Sequence, residues 1–475
     1  MNTATFLLTA GLPVVLLIAT ILFRHAIGTL SLHRLAPYQY AFYFAFMIQG
    51  VIGMYLALWG ARNHIGFRLV TAEGPYVDAT IAVLCGVLFT PIGMIVCAHM
   101  FSFRPTRDVP QYLDQPMRPF LSRSDDVMFR TLLVLTMGIA IFAIWLLQDS
   151  PLRLSLDPNA NAVDLAKARV EYEFADPNSI RIVQNIFGTS LTAVIAYITF
   201  AWAVCTRRFR WRLLFAVQLI PVLGIQAISL AKASAAQFAL GLMFVYVVTR
   251  GRITTQRLLL VTAAISCLLL GSYVAAGTDY KTEGGGVATL LDDDNPVGRT
   301  IVGQLAGMPN YFQTFPDQHP FLYGSELQLL ALFGERPKTA ARISMEALLP
   351  DGVMTKTVGM QNTFFTGAAY ANFGWVGVLL APVWVGFVLQ GTQLVVTRLE
   401  KNPVTVGWGV WVMYQFSKAI GGGFVSEFVA NTNVLGTSLI VALIVAVAKC
   451  LHDVGGPRRR QHFRPTSLLI ESMNK

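Results

Sequence analysis

The sequence predicts an all-α, polytopic integral membrane protein: a bundle of about 11 transmembrane helices with one large polar loop folded as a cap between spans 8 and 9. Three observations carry that reading. Apolar residues make up 54% of the 475-residue chain and charged residues only 13%. Apolar runs long enough to cross about 30 Å of hydrocarbon recur along it. Lys and Arg are divided unevenly between alternate connecting segments, as cytoplasmic and external loops require.

The first apolar run, about 5–23, has no basic residue ahead of it and no small-residue cleavage pattern before Arg24, so it reads as a retained span and not a signal peptide. Further runs fall at about 37–60, 78–101, 128–147, 183–205, 213–231, 234–249, 258–276, 370–396, 405–420 and 433–450. The stretch 213–249 is one apolar run broken at Lys232, so a re-entrant pair or one bent helix is its structural alternative. The chain then divides into an N-terminal membrane bundle (1–276, with an outer loop at about 149–182), a loop (277–361), a C-terminal group of spans (362–450) and a basic tail (451–475). All five cysteines lie within or beside apolar runs and have no metal-like spacing, which suits packing as small apolar groups.

Charge sets the orientation. One set of alternate loops, with the basic tail, holds 22 Lys/Arg against 7 Asp/Glu; the other holds 14 against 19. Short basic clusters such as RRFRWR (207–212) and RGRITTQR (250–257) hug span ends, so the net charge of +10 reflects membrane topology and not nucleic-acid affinity. The N-terminus is expected outside and the C-terminus in the cytoplasm.

The loop 277–361 is the one long polar segment. It is too apolar for a disordered linker, since Tyr311, Phe312, Phe315, Phe321, Leu329, Leu330 and Phe333 give it something to bury. A second outer segment, 149–180, carries a short helix expected around Val163–Phe174, with Arg169 among acids. A third, 421–433, opens on three glycines and contains Glu427, a pattern found where spans break to line a polar cavity and equally at plain packing kinks.

No Walker loop, G-x-S-x-G or H-E-x-x-H is present. The run Asp292-Asp293-Asp294 reads as a solvated acidic patch, and no metal site or cofactor is expected. The outer-side cations are the informative groups: Lys232, Arg169, Arg181, Arg299 and Arg336, with Lys418 near the end of the tenth span. Charge near hydrocarbon is costly unless it faces a cavity, and guanidinium groups bind phosphate oxygens through paired hydrogen bonds. Singly, each cation suits an ion pair; together they suit a lipid-linked pyrophosphate.

The block PFLYGSELQLLALFGERPKTA followed by QNTFFTGAAYANFGWVGVLLAPVWVGF resembles the C-terminal half of the bacterial oligosaccharide repeat-unit polymerases, the O-antigen polymerase family. The residues that carry the likeness are Tyr323, Gly324, Arg336 and Pro337 in the loop, then Tyr370, Asn372, Phe373, Gly374 and Gly377 at the start of the next span, with Lys232 and Ser234 in SLAKASAAQF. The likeness covers about residues 180–400. It implies an inner-membrane glycosyltransferase that moves a growing glycan from undecaprenyl pyrophosphate onto a fresh lipid-linked repeat unit at the periplasmic face. Its partners would be the undecaprenyl-pyrophosphate-linked donor and acceptor, the bilayer and a chain-length regulator.

For that chemistry the catalytic candidates are Arg299 and Arg336, to balance charge on the leaving diphosphate, and Glu326 and His319, with Asp317, as bases. Lys232, Arg169, Arg342, Tyr323 and Asn372 are the candidate pyrophosphate- and glycan-binding residues. Relatives often carry a carboxylate just before the Asn-Phe-Gly element; Gly367, Ala368 and Ala369 stand there, so Glu326, Glu335 or Glu427 would serve instead. Two other readings are an O-antigen ligase-type glycan transferase and a transporter or flippase of lipid-linked sugars. A transporter should show internal repeats and broken, charged spans in both halves, which this sequence lacks.

Overall fold

The computed structural model describes residues 3–118, 125–148, 150–155, 157, 159, 161–174, 182–230, 233–275, 295–327 and 338–455. Among them there is no strand. A long helix stands at each place where an apolar run was read: α1 (Thr3–Ile27), α2 (Pro37–Leu58), α3 (Gly74–Met100), α4 (Asp125–Leu147), α5 (Gln184–Thr206), α6 (Phe209–Ala227), α7 (Ser234–Arg250), α8 (Thr255–Ala275), α9 (Phe365–Arg398), α10 (Pro403–Ala419) and α11 (Thr432–Gly455). Seven of these positions, α1–α5, α9 and α11, carry helices long and apolar enough to cross a membrane. The other four are shorter or less apolar, so the expectation of eleven crossings is met in full only as a count of helices. The run 213–249 is two helices separated at residues 228–233.

The centre of the bundle is the α3/α9 pair. The chain backbones approach so closely that a Cβ at Gly93 would lie 2.0 Å from the Val383 carbonyl oxygen, and one at Gly386 would lie 1.9 Å from that of Thr90. Small residues at a crossing let helices meet in this way where hydrocarbon gives no hydrophobic drive for association. Around the pair, α5 packs on α10, α6 and α7, and buries Trp202 against Trp211 of α6 with ring centroids 4.9 Å apart. Faces of α1, α4 and α11 stay exposed and apolar, with Leu17, Val134, Ile141, Leu439 and Leu443 uncovered, as lipid-facing helices require.

The described part of the 277–361 loop is folded, as its aromatics predicted. Short helices Pro296–Ile301, Met308–Thr314, Ala340–Leu348 and Pro350–Met354 form a cap over one end of the bundle. A buried polar network ties them: the Asn310 amide donates to the Ser344 carbonyl and hydroxyl and to Gln361 Oε1, and the Tyr311 hydroxyl donates to the Gln361 carbonyl. Every bond crosses between segments distant in sequence, so the cap is a small core of its own.

At the opposite end the links are short loops bound to one another. Lys401 is 2% exposed and its ammonium donates to the carbonyls of Leu113 and Gln115, both at 2.8 Å. Arg34 pairs with both oxygens of Asp114, and Arg398 reaches the Phe101 carbonyl. Three of the loops assigned to one side by charge, those holding Arg34, Asp114 and Lys401, therefore meet at one end. The expected helix in the second outer segment is present as Ala162–Phe174, and Lys356 of the cap contacts its Glu171 at 3.2 Å. No disulfide joins any of the five cysteines.

Candidate functional site

The helix α9 is broken at Gly374, whose φ of 61° and ψ of −151° lie outside the region open to a side chain. A break leaves carbonyls of the preceding turn without their helical donors. The loop supplies them: the Leu322 N–H donates to the Ala371 carbonyl and the Tyr323 N–H to that of Asn372, each at 3.0 Å. The Asn372 side chain continues the seam, accepting from the Gly324 N–H and donating to the Ala368 carbonyl. The residues that carried the family likeness in two separate stretches, Tyr323-Gly324 and Asn372-Phe373-Gly374, are thus one structural unit.

Glu326 closes this unit. It is 4% exposed; its Oε1 accepts from the Asn372 amide at 2.7 Å and its Oε2 from the Ala340 N–H, at the start of the 340–348 helix, at 2.8 Å. Burial raises its pKa, and the two hydrogen bonds work against that rise. A carboxylate with both oxygens engaged by main chain and amide is a latch between loop and span.

The other predicted residues fall as follows. Arg342 is turned into the cap, where its guanidinium donates to the carbonyls of Val358 and Gly359 and contacts Glu346 at 3.3 Å. His319 packs its ring on Phe315, 5.5 Å between centroids, with Nδ1 2.8 Å from the Pro320 carbonyl oxygen. Tyr323 is 74% exposed, with its ring free to contact material outside the cap. Arg169 lies half-buried in the Ala162–Phe174 helix. Lys232, Arg181, Glu335, Arg336 and the triple aspartate lie outside the described residues.

Arg299 stands apart from this group, at a groove. On the 296–301 helix, it lines a cavity of about 440 Å³ with Thr300 and Gln304. From there the wall continues along Phe44, Leu240, Met243, Leu258, Ile265 and Leu269 of α2, α7 and α8. The groove is therefore mostly apolar along its length, with Gln237, Thr262 and Ser266 also in the wall, and polar at the cap. Its cap end is anchored by Gln49, 8% exposed within α2, whose amide donates to the Thr300 carbonyl. Gln304 accepts from the Asn362 amide. Both glutamines were passed over in the sequence; for Gln49 an amide within an apolar span is the signal that could have found it, and Gln304, in the polar loop, carries no such signal.

Glu427 follows a turn that passes the same mouth. The Gly421–Gly423 turn that leads to it abuts the groove, since a Cβ at Gly421 would sit 3.7 Å from Gln49 Oε1 and 3.9 Å from Gln304 Cβ. Its neighbour Ser426 donates to the Glu326 carbonyl, which pins the turn to the latch. The Glu427 carboxylate accepts one hydrogen bond, from the Asn431 amide at 2.8 Å. No cluster of three or more metal-ligating side chains occurs among the described residues. Comparison with family models, with curated proteins and with solved structures yields no match.

Proposed function

We propose that the protein is a membrane glycosyltransferase that polymerises undecaprenyl-pyrophosphate-linked oligosaccharide repeat units at the periplasmic face of a bacterial inner membrane, with all eleven helices crossing and the 277–361 segment outside. The observation that carries this reading is the groove: a mostly apolar trough along α2, α7 and α8 that ends at a guanidinium under a folded cap. A polyprenyl diphosphate has the matching form, a long apolar chain ending in a concentrated negative charge. Arg299 at the mouth balances the charge that develops on the departing diphosphate.

In the reaction, an acceptor sugar hydroxyl attacks the anomeric carbon of the donor. The new C–O bond forms as the bond to the diphosphate oxygen breaks, and the hydroxyl proton passes to a base. Glu326 is held as a latch, so the base role passes to Glu427, which follows the turn that abuts the groove and whose carboxylate accepts one hydrogen bond from Asn431. Tyr323 offers an exposed ring for stacking on sugar.

The test is a gel of surface glycolipid from a deletion strain of the source bacterium, complemented with wild type, Arg299→Ala and Glu427→Gln, with membrane levels of each protein measured. Deletion collapses the polymer ladder to single repeats, wild type restores it, and both variants leave it collapsed at normal expression. A ladder that survives deletion overturns the polymerase reading. Long polymer accumulating on the carrier lipid instead identifies a ligase.

A further inference from the structure

A second cavity lies at the end away from the cap, between the last turns of α1 and α3 and the start of the short helix Pro105–Asp114. That helix leads to the Leu113 carbonyl held by Lys401, which fixes the end of the bundle concerned. The three elements are closely packed, since a Cβ at Gly28, just past α1, would lie 2.1 Å from the Pro105 carbonyl oxygen. The cavity measures about 420 Å³, inside the range of roughly 300–1,000 Å³ that small-molecule sites occupy.

Its wall holds four basic side chains, His25, His99, Arg104 and Arg107, with Ile95 and Phe103 beside them and no carboxylate among the described residues. Asp108, the acid of the same turn, is occupied elsewhere: its Oδ2 accepts the Arg104 backbone N–H at 2.9 Å. None of the four basic side chains holds an ion pair or hydrogen bond among the described residues. Arg34 and Arg118 at the same end do, with Asp114 and Glu400. Two guanidiniums that stay charged, and two imidazoles that can each give an N–H, are thus gathered without a counter-charge. Phosphate answers that set, because guanidinium forks bind its oxygens through paired hydrogen bonds.

The surface leading to the cavity separates a lipid phosphate from a free one. Val14, Ile18 and Ile21 precede His25 by eleven, seven and four residues and so share its helix face; Ile92 and Val96 precede His99 by seven and three. All five are exposed. Because α1 and α3 pack on each other, these residues make an uncovered apolar track that starts at the cationic wall. From His25 to Val14 it runs about 16 Å, the depth of one leaflet of a hydrocarbon core about 30 Å thick.

We infer that this cavity holds the phosphate of an anionic phospholipid, with Arg104 and Arg107 forked onto its oxygens, His25 and His99 donating to it, and the acyl chains lying along the α1–α3 track. Basic pockets between spans at a membrane surface hold anionic headgroups in this way. A zwitterionic headgroup would bring an ammonium among the guanidiniums, where no carboxylate lines the wall to receive it. In the orientation proposed above the lipid belongs to the cytoplasmic leaflet; the inference rests on the cavity and the track and is independent of the reaction.

The experiment is a native mass-spectrometric titration of the purified full-length protein in detergent. The probes are dioleoyl phosphatidylglycerol, dioleoyl phosphatidylcholine, glycerol 3-phosphate and inorganic phosphate. The first phosphatidylglycerol binds about tenfold more tightly than phosphatidylcholine. Glycerol 3-phosphate and inorganic phosphate bind about a hundredfold more weakly than phosphatidylglycerol, since neither buries a chain on the track. Arg104→Gln lowers the affinity for phosphatidylglycerol about tenfold, the loss of one charged hydrogen-bonding partner. Arg24→Gln removes an exposed charge beside His25 but outside the wall and leaves the affinity unchanged. The preference of the wild type among the four probes needs no variant to fold. Equal affinity for the two lipids, an unchanged affinity in Arg104→Gln, or an equal loss in Arg24→Gln overturns the site. Inorganic phosphate binding as tightly as the lipid makes it a free-anion site and overturns the lipid assignment.

Discussion

Each end of the molecule is held by one buried charge, and the two are solved in opposite senses. At the cap end the carboxylate of Glu326 takes an N–H from Ala340 and an amide from Asn372. At the opposite end the ammonium of Lys401 gives hydrogen bonds to the carbonyls of Leu113 and Gln115. Both rely on backbone groups that a helix or loop terminus leaves without partners. The difference lies in what surrounds them. The Lys401 contacts join tight connections whose neighbours, such as Arg34 with Asp114, are also paired. The Glu326 latch stands next to a glycine turn and a broken span. One end is closed by its charge, and the other is kept open around it.

The largest break in that comparison is Glu326→Ala. It strands the Ala340 N–H and removes one of the two acceptors of the Asn372 amide in a buried seam, and the cap loses about 3 kcal/mol. Limited proteolysis should then cut within 295–327 under conditions where the wild type resists; an unchanged cleavage pattern would show that the latch is ornamental. Lys401→Met is the matching change at the other end. It leaves the Leu113 and Gln115 carbonyls unsatisfied at a cost of about 2 kcal/mol, read as a lowered unfolding midpoint with cap proteolysis unaltered. If the two variants give the same cleavage pattern, the ends are not independent.

The smallest effect sharpens the contrast through pH. Burial first of all raises the folded-state pKa of Glu326 above that of an exposed glutamate. The folded protein then holds the proton to higher pH than the unfolded chain, so this contribution is complete below the ordinary glutamate pKa of about 4.3 and fades as pH rises through the raised value. Burial likewise lowers the pKa of Lys401, to about 8, but that group acts at the opposite end of the bundle from the cap. Protease resistance of the cap should decline with rising pH in the wild type and lose that slope in Glu326→Gln. A slope that survives the substitution assigns the titration to another group.

Much of the fold was legible because apolar runs and charge alternation are local signals. The helices α1 to α11 stand where those runs lie, and the cap's aromatics foretold a folded loop. The α6 and α10 positions show the limit of that signal: their helices exist, yet length and composition alone do not mark them as crossings. The site was less legible. Arg299 was found by its charge, and the groove beside it was not, because its wall draws on residues as distant as Leu35 and Gln304. Glu326 was visible as a carboxylate in a loop, and nothing in its neighbourhood announced that Asn372 would occupy it.

The break at Gly374 also divides one helix between two tasks. After it, residues 375–398 of α9 extend about 36 Å at 1.5 Å per residue, enough to cross a hydrocarbon layer of about 30 Å without help. Before it, residues 365–373 double back, since a Cβ at Gly377 would lie 2.3 Å from the Ala369 carbonyl oxygen, and they carry the seam to Leu322 and Tyr323. One continuous stretch of sequence therefore supplies both a strut and the clasp by which the loop fastens to it.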